Sequence, residues 1–305
     1  MKTKLFVLAF GLALCSYSAF AQDYVFKVLA NKGDNTYRSA SGSWEALKTG
    51  TKLVSGDVVK TTSGSYLALI HSSGKPLELK EAKEYKIDDL NSQVSGGETG
   101  IVGKYANFVA SKMSPEEREE NRKKYASVTG ATERGFEQIK VYMKTTANIY
   151  NNSAIIRWKP QANAEEYELT LKDMFDEVIM VTETSDNYYK VDFNDPRLKD
   201  KDLVIVNISV KGDKESNSGD YGIQRVSSSD SQKYKSELDE LSAALDPNSS
   251  INNLILAEFY EQNNLLLDAL TSYETAIQKS PDVDYFKDAY TEFLMRNQWS
   301  DKISK

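Results

Sequence analysis

The sequence predicts an α+β chain of several domains rather than one continuous layered core. Two segments, 22–98 and 137–227, consist of short runs of β-branched and aromatic residues separated by turn residues. Two others, 99–136 and 228–305, carry charged or helix-periodic patterns. A leader precedes all four.

Lys2 and Lys4, the apolar stretch Leu5–Leu14 and Ala19-Phe20-Ala21 form the three parts of a secretory signal peptide over 1–21. The apolar stretch is too short for a membrane span. Cys15 follows Leu14, whereas a lipobox requires a small residue there, so cleavage after Ala21 is expected, with Gln22 as the new N-terminus. Cys15 is the only cysteine, so the processed chain would form no disulfide and offer no thiolate. Losing the two leader lysines takes the formal charge from −7 to −9. That balance argues against nucleic acid or anionic lipid as the main partner.

Over 22–98, Val25–Leu29 is apolar and runs into the turn Asn31-Lys32-Gly33-Asp34. Leu67, Leu69 and His71 share one strand face, and Tyr66, Ala68 and Ile70 the other. Over 99–136, Ser114-Pro115-Glu116-Glu117 is a helix start with a capping box. The charged run to Lys124 is a solvated face, and the segment is expected to be a helical connector.

Over 137–227, Ile155–Trp158, Tyr167–Leu171, Val178–Val181, Tyr188–Phe193 and Val204–Val210 read as strands of an antiparallel sandwich. Ser227–Ser231 is a linker that runs into a helix cap. Over 228–305 the period turns helical: Leu238, Leu241 and Leu245 share a face, Asp246-Pro247 ends that helix, a helix pair spans 250–279, and a further helix spans 284–298.

Three resemblances follow from these patterns. Leu256-Ala257-x-x-Tyr260, Ala269-x-x-x-Tyr273-x-x-Ala276 and Pro281 resemble a tetratricopeptide repeat, although Asn253 stands where the frequent tryptophan would be. Pro247 and Pro281 lie 34 residues apart, the period of that repeat. The resemblance implies two antiparallel helices in close approach at Ala269, a pair that would serve as a dock for a protein or merely pack on the sandwich.

Trp44-x-x-Leu47-x-x-Gly50-x-x-Leu53-x-x-Gly56-Asp57-x-Val59-x-Thr61, with Gly64, Ala68, Ile70, Gly74, Leu77 and Leu79, resembles the FecR-type β domain of bacterial periplasmic proteins. The iron-signalling members carry a cytoplasmic segment and a membrane span that this pattern lacks, so their regulatory activity does not carry over. Trp158-x-Pro160 with Ala164-x-x-Tyr167-x-Leu169 is similar to a fibronectin type III-like sandwich, which implies Trp158 in the inter-sheet core.

The pattern holds no catalytic or metal constellation. His71 is the only histidine, which rules out a histidine metal cluster, and no Gly-x-Ser-x-Gly elbow or phosphate loop occurs. Asp57, Asp186-Asn187 and Asp192–Asp195 read as turn residues. The expectation is a non-enzymatic periplasmic or secreted scaffold or adaptor without cofactor. Its partners would be envelope proteins, with cell-wall glycan as a second candidate, and catalytic, cofactor and metal residues are none. The alternatives are a ligand-binding envelope sensor or a carboxylate hydrolase.

Overall fold

The computed structural model describes residues 24–94, 100–113, 115–126, 139–162 and 164–299. The expected leader, the cap Ser114 and residues 127–138 lie outside them.

Eight short strands and a helix make the first region: β1 Phe26–Lys32, β2 Thr36–Arg38, β3 Glu45–Ala46, β4 Lys52–Leu53, β5 Val58–Lys60, β6 Tyr66–His71, β7 Pro76–Leu79, β8 Glu84–Lys86 and α1 Ile87–Val94. They form two four-stranded sheets, ordered β4-β1-β6-β7 and β3-β2-β5-β8. Gly50, Gly56, Gly64 and Gly74 all take positive φ at the turns. Gly74 is also pressed against the backbone of Gly103, where a Cβ would clash with the Gly103 Cα.

Strand β6 separates two cores. Leu67 and Leu69 join Phe26, Val28, Leu53, Val59 and Ile87 between the two sheets. Tyr66, Ala68 and Ile70 point away and enter a second, larger core. A bulge in β1 between Val28 and Ala30 turns both Leu29 and Ala30 to that second side. The sheet is therefore buried on both faces, which explains why Leu67-Ala68-Leu69-Ile70 is continuously apolar.

The helices α2 Gly100–Lys112 and α3 Pro115–Ala126 follow. The sandwich is built from β9 Thr146–Ile149, β10 Ser153–Arg157, β11 Tyr167–Lys172, β12 Val178–Thr184, β13 Tyr188–Asp192, β14 Leu203–Val210, β15 Asp213–Asn217 and β16 Tyr221–Arg225. One sheet runs β12-β11-β14-β16-β9 with β15 folded onto β14, and β10 pairs β13 opposite it. Trp158 is fully buried between the sheets and meets Tyr167 edge-on at 5.3 Å. The Tyr167 hydroxyl accepts from the Gln161 N–H at 2.8 Å.

Four helices close the chain: α4 Ser228–Ala244, α5 Ser250–Gln262, α6 Leu266–Lys279 and α7 Asp284–Arg296. Ser227 caps α4 and Ser249 caps α5 through their hydroxyls. Asn264 turns the chain between α5 and α6 at φ 57°.

The connector is no spacer. Helix α2 packs on α4 and α5, and α3 packs on α7. Val102, Tyr105, Ala106 and Val109 of α2 share one core with Leu29, Tyr66 and Ile70 of the first region and with α4–α7. Ile155 of β10 joins the same core, while its neighbours Ala154 and Ile156 face the sandwich interior. The helices thus form a central block, with a β region packed on either side.

Candidate functional site

The features that set the molecule's interaction chemistry are the buried face of α6 and the surfaces this block leaves free. Along α6, Asp268, Thr271 and Glu274 recur at intervals of three, which places them on one side of the helix. Each receives β-sandwich groups. The Tyr150 N–H donates to Asp268 Oδ2 and the Asn151 N–H to Oδ1, both at 2.9 Å. The Ile155 N–H donates to the Thr271 hydroxyl at 3.0 Å. Arg157 grips Glu274 with two nitrogens, its Nη2 lying 2.7 Å from Oε2 and its Nε against Oε1. The Tyr290 hydroxyl of α7 donates to the same Oε1 at 2.9 Å.

Asp268 is 0 % exposed. Burial pushes its carboxyl up to about 6, against the opposing pull of the two backbone donors. These bonds satisfy the otherwise unpaired N–H groups of the β9–β10 turn.

The other face of the helix pair is tied to the first region and α2. Glu78 of β7 accepts from the Tyr66 hydroxyl at 2.6 Å and from the Ile251 N–H, in the first turn of α5, at 2.9 Å. Burial alone would raise this carboxyl, but Lys80, Tyr66 and Ile251 outweigh it and hold Glu78 below the ordinary glutamate value. The anion and the helix N-terminus complement each other. Lys112 of α2 reaches both oxygens of Glu258, 1 % exposed, at 2.8 Å. Glu261 accepts from Arg296 at 2.8 and 2.9 Å and from the Tyr273 hydroxyl at 3.0 Å.

The helix pair, expected from sequence either to be a dock or to pack on the sandwich, is thereby covered on both sides by its own chain. Ala269 is fully buried in the shared core, and Asn253 donates to the Pro247 and Ser249 carbonyls. Packing on the sandwich was one of the two outcomes expected for the helix pair, but neither the residues that make the joint nor the ties to the first region and α2 were foreseen. The joint's signal was polar spacing within an otherwise apolar helix, Asp268-x-x-Thr271-x-x-Glu274.

His71 is buried and fixed. Its Nδ1 accepts from the Ser73 hydroxyl at 2.7 Å and the Ser73 N–H at 3.1 Å, leaving Nε2 to donate to Asn91 Oδ1 at 2.9 Å. This serine–histidine–asparagine chain closes the β6–β7 turn onto α1. Asp57 accepts from the Val54 N–H, and Asp192 from the Asn194 N–H, both as turn residues. Arg197 beside Asp195 holds that carboxyl down to about 2. Among the described residues, no three His, Cys, Asp or Glu side chains gather to hold a metal ion, and no helix is long and apolar enough to cross a membrane.

Exposed large apolar side chains concentrate at one end of the sandwich. Phe175 is 77 % and Met174 67 % exposed at the β11–β12 turn, and Val178 and Val181 stand out from β12. β12 is an edge strand, so one row of its backbone groups is also unpaired by the sheet. An isolated exposed leucine is ordinary, but several such residues on one free edge make a candidate docking surface. No protein-family model matches the chain, and no curated protein matches it.

Proposed function

We propose that this chain is a non-catalytic, exported envelope scaffold or adaptor that engages protein partners. In this reading residues 22–98 are a FecR-like β domain, 137–227 a fibronectin type III-like sandwich and 228–305 a tetratricopeptide-like helical domain. The strand order β12-β11-β14-β16 opposite β10-β13, with Trp158 between the sheets, supports the sandwich assignment. Antiparallel packing of α5 and α6 with Ala257, Ala269 and Ala276 buried supports the repeat assignment. The leader over 1–21 supports export.

The observation that carries the adaptor reading is the exposed apolar group Met174, Phe175, Val178 and Val181 on a free strand edge. Such an edge accepts a partner strand by main-chain pairing, with alternate side chains supplying selectivity. The helix pair holds the two β regions in fixed relation and is not itself the docking face.

A photocrosslinker placed at Phe175 in cells tests this reading. It should capture one defined envelope protein, and the capture should vanish with Val181→Lys, which puts a charge on the free edge. The same crosslinker at Lys235, on the exposed side of α4, should capture nothing. Equal labelling at both positions would overturn the adaptor reading. N-terminal sequencing of the periplasmic protein should begin at Gln22, and retention of residues 1–21 would overturn the export reading.

A further inference from the structure

The outer face of the sheet β3-β2-β5-β8 lies open and concentrates cations on a chain whose formal charge is −7. Arg38 stands opposite Val58, and Val58 opposite Lys86. Two residues along, Lys60 stands between Thr36 and Glu84. By the two-residue period of a strand, Arg38, Lys60 and Lys86 project from the same side. All three are exposed. The inward side of these strands carries Tyr37, Val59 and Tyr85, which pack on the first core.

Trp44 lies over this face. The Arg38 guanidinium is 5.0 Å and the Lys60 ammonium 5.7 Å from its ring centroid. Both cations hold the indole in place through its quadrupole. The ring remains 38 % exposed, a large aromatic surface fixed on the outside of the molecule. Lys60 pairs with Glu84 at 3.6 Å between two half-exposed side chains, a weak pair that leaves most of its field available. Arg38 and Lys86 have no carboxylate partner among the described residues.

Beside the face lies a groove of about 810 Å³ in which Lys80 and Lys83 are paired with Glu78 and Glu81 at 2.7 Å, so the open cations are those of the sheet face. A fixed indole presents a flat apolar surface on which the C–H face of a sugar ring can stack, combining contact area with little loss of rotamer entropy. A guanidinium fork matches a carboxylate in two parallel hydrogen bonds. Three exposed cations around one fixed indole suit a polymer with about one charge per sugar unit. They suit a nucleic acid duplex poorly, since its charge recurs every ~1.7 Å.

We propose that Arg38, Trp44, Lys60 and Lys86 form a binding face for an acidic, uronate-type glycan. This goes beyond the adaptor reading and uses the opposite β region, so either can fail alone.

Retardation of the full chain in native gels containing polygalacturonate tests the proposal, with neutral dextran and single-stranded DNA as parallel matrices. The wild-type chain should be retarded by polygalacturonate, far less by DNA, and not by dextran. Trp44→Ala should weaken the binding at least tenfold and Trp44→Phe much less. The double change Arg38→Gln, Lys86→Gln should weaken it and flatten its salt dependence. Thermal melts of the variants should match wild type, because each altered side chain is exposed. Absence of retardation by polygalacturonate, undiminished retardation of the variants, or equal retardation by DNA would each overturn the proposal.

Discussion

Helix α6 and strand β12 break the ordinary polar-out, apolar-in rule in opposite directions. α6 buries carboxylates, Asp268 and Glu274, whereas β12 exposes Val178 and Val181. The difference lies in what stands opposite. The α6 carboxylates meet backbone N–H groups and Arg157 of the sandwich, so their partners belong to the same chain. Nothing in the described residues covers the β12 edge. Buried polar groups therefore mark an internal joint here, and the exposed apolar groups form the edge we propose as a joint for another molecule.

The sharpest way to break the internal joint is to remove one half of its ion pair. Glu274→Ala leaves Arg157 half-buried without its carboxylate and also strips the Tyr290 hydroxyl of its acceptor. A loss of about 3–5 kcal/mol is expected in chemical denaturation, the usual cost of orphaning a buried charge. A change below about 1 kcal/mol would show that the joint carries no stability.

Asp268 sharpens the same comparison through pH. Its folded carboxyl is raised to about 6 from an ordinary value of 3.8. A raised acid binds its proton more tightly in the folded state, so its contribution favours folding at low pH. That contribution declines as pH rises from about 4 through 6, by up to about 3 kcal/mol. Glu78 and Glu261 are held below their ordinary values and act in the opposite sense, losing their contribution as pH falls below the glutamate range. The stability of Asp268→Asn relative to wild type should therefore grow between pH 4 and 7, as read from paired denaturation curves. A difference that stays flat over that range would contradict the assignment.

Ala269→Leu tests the packing of the block itself. Overfilling this fully buried position should cost about 1–3 kcal/mol. The smallest effect belongs to the outer joint. Phe175→Ser removes an exposed side chain and should change stability by no more than about 0.5 kcal/mol, yet abolish partner capture by a photocrosslinker placed at Val178. A large drop in melting temperature would mean that Phe175 packs internally.

The elements were largely legible in the sequence because their signals are local. Pro247, the Ser249 cap and the apolar periodicity place α5, and the alternation in Tyr167–Leu171 places β11. The Trp158 core position followed from its place beside Pro160 and Tyr167. The relation between regions was legible only as the alternative that the helix pair packs on the sandwich, because the contacts themselves join residues more than 100 apart, such as Arg157 with Glu274 and Glu78 with Ile251. Two traces of it were present and point the same way: β6 is apolar on both faces, and α6 carries polar residues where a helix pair would be dry. Of the proposed surfaces, Trp44 was visible only as part of a β-domain pattern. Its setting between Arg38 and Lys60 depends on strand register, which turn chemistry and the fold together decide.

The central claim is that the helices form one core with both β regions rather than a separate terminal domain. Amide hydrogen exchange on Ala269→Leu tests it most directly. A shared core predicts faster exchange in α6 together with β10 on one side and α2 and β6 on the other, since all four elements line the same cluster. Faster exchange confined to 228–305, with β6 and β10 as protected as in wild type, would show independent modules and contradict the account.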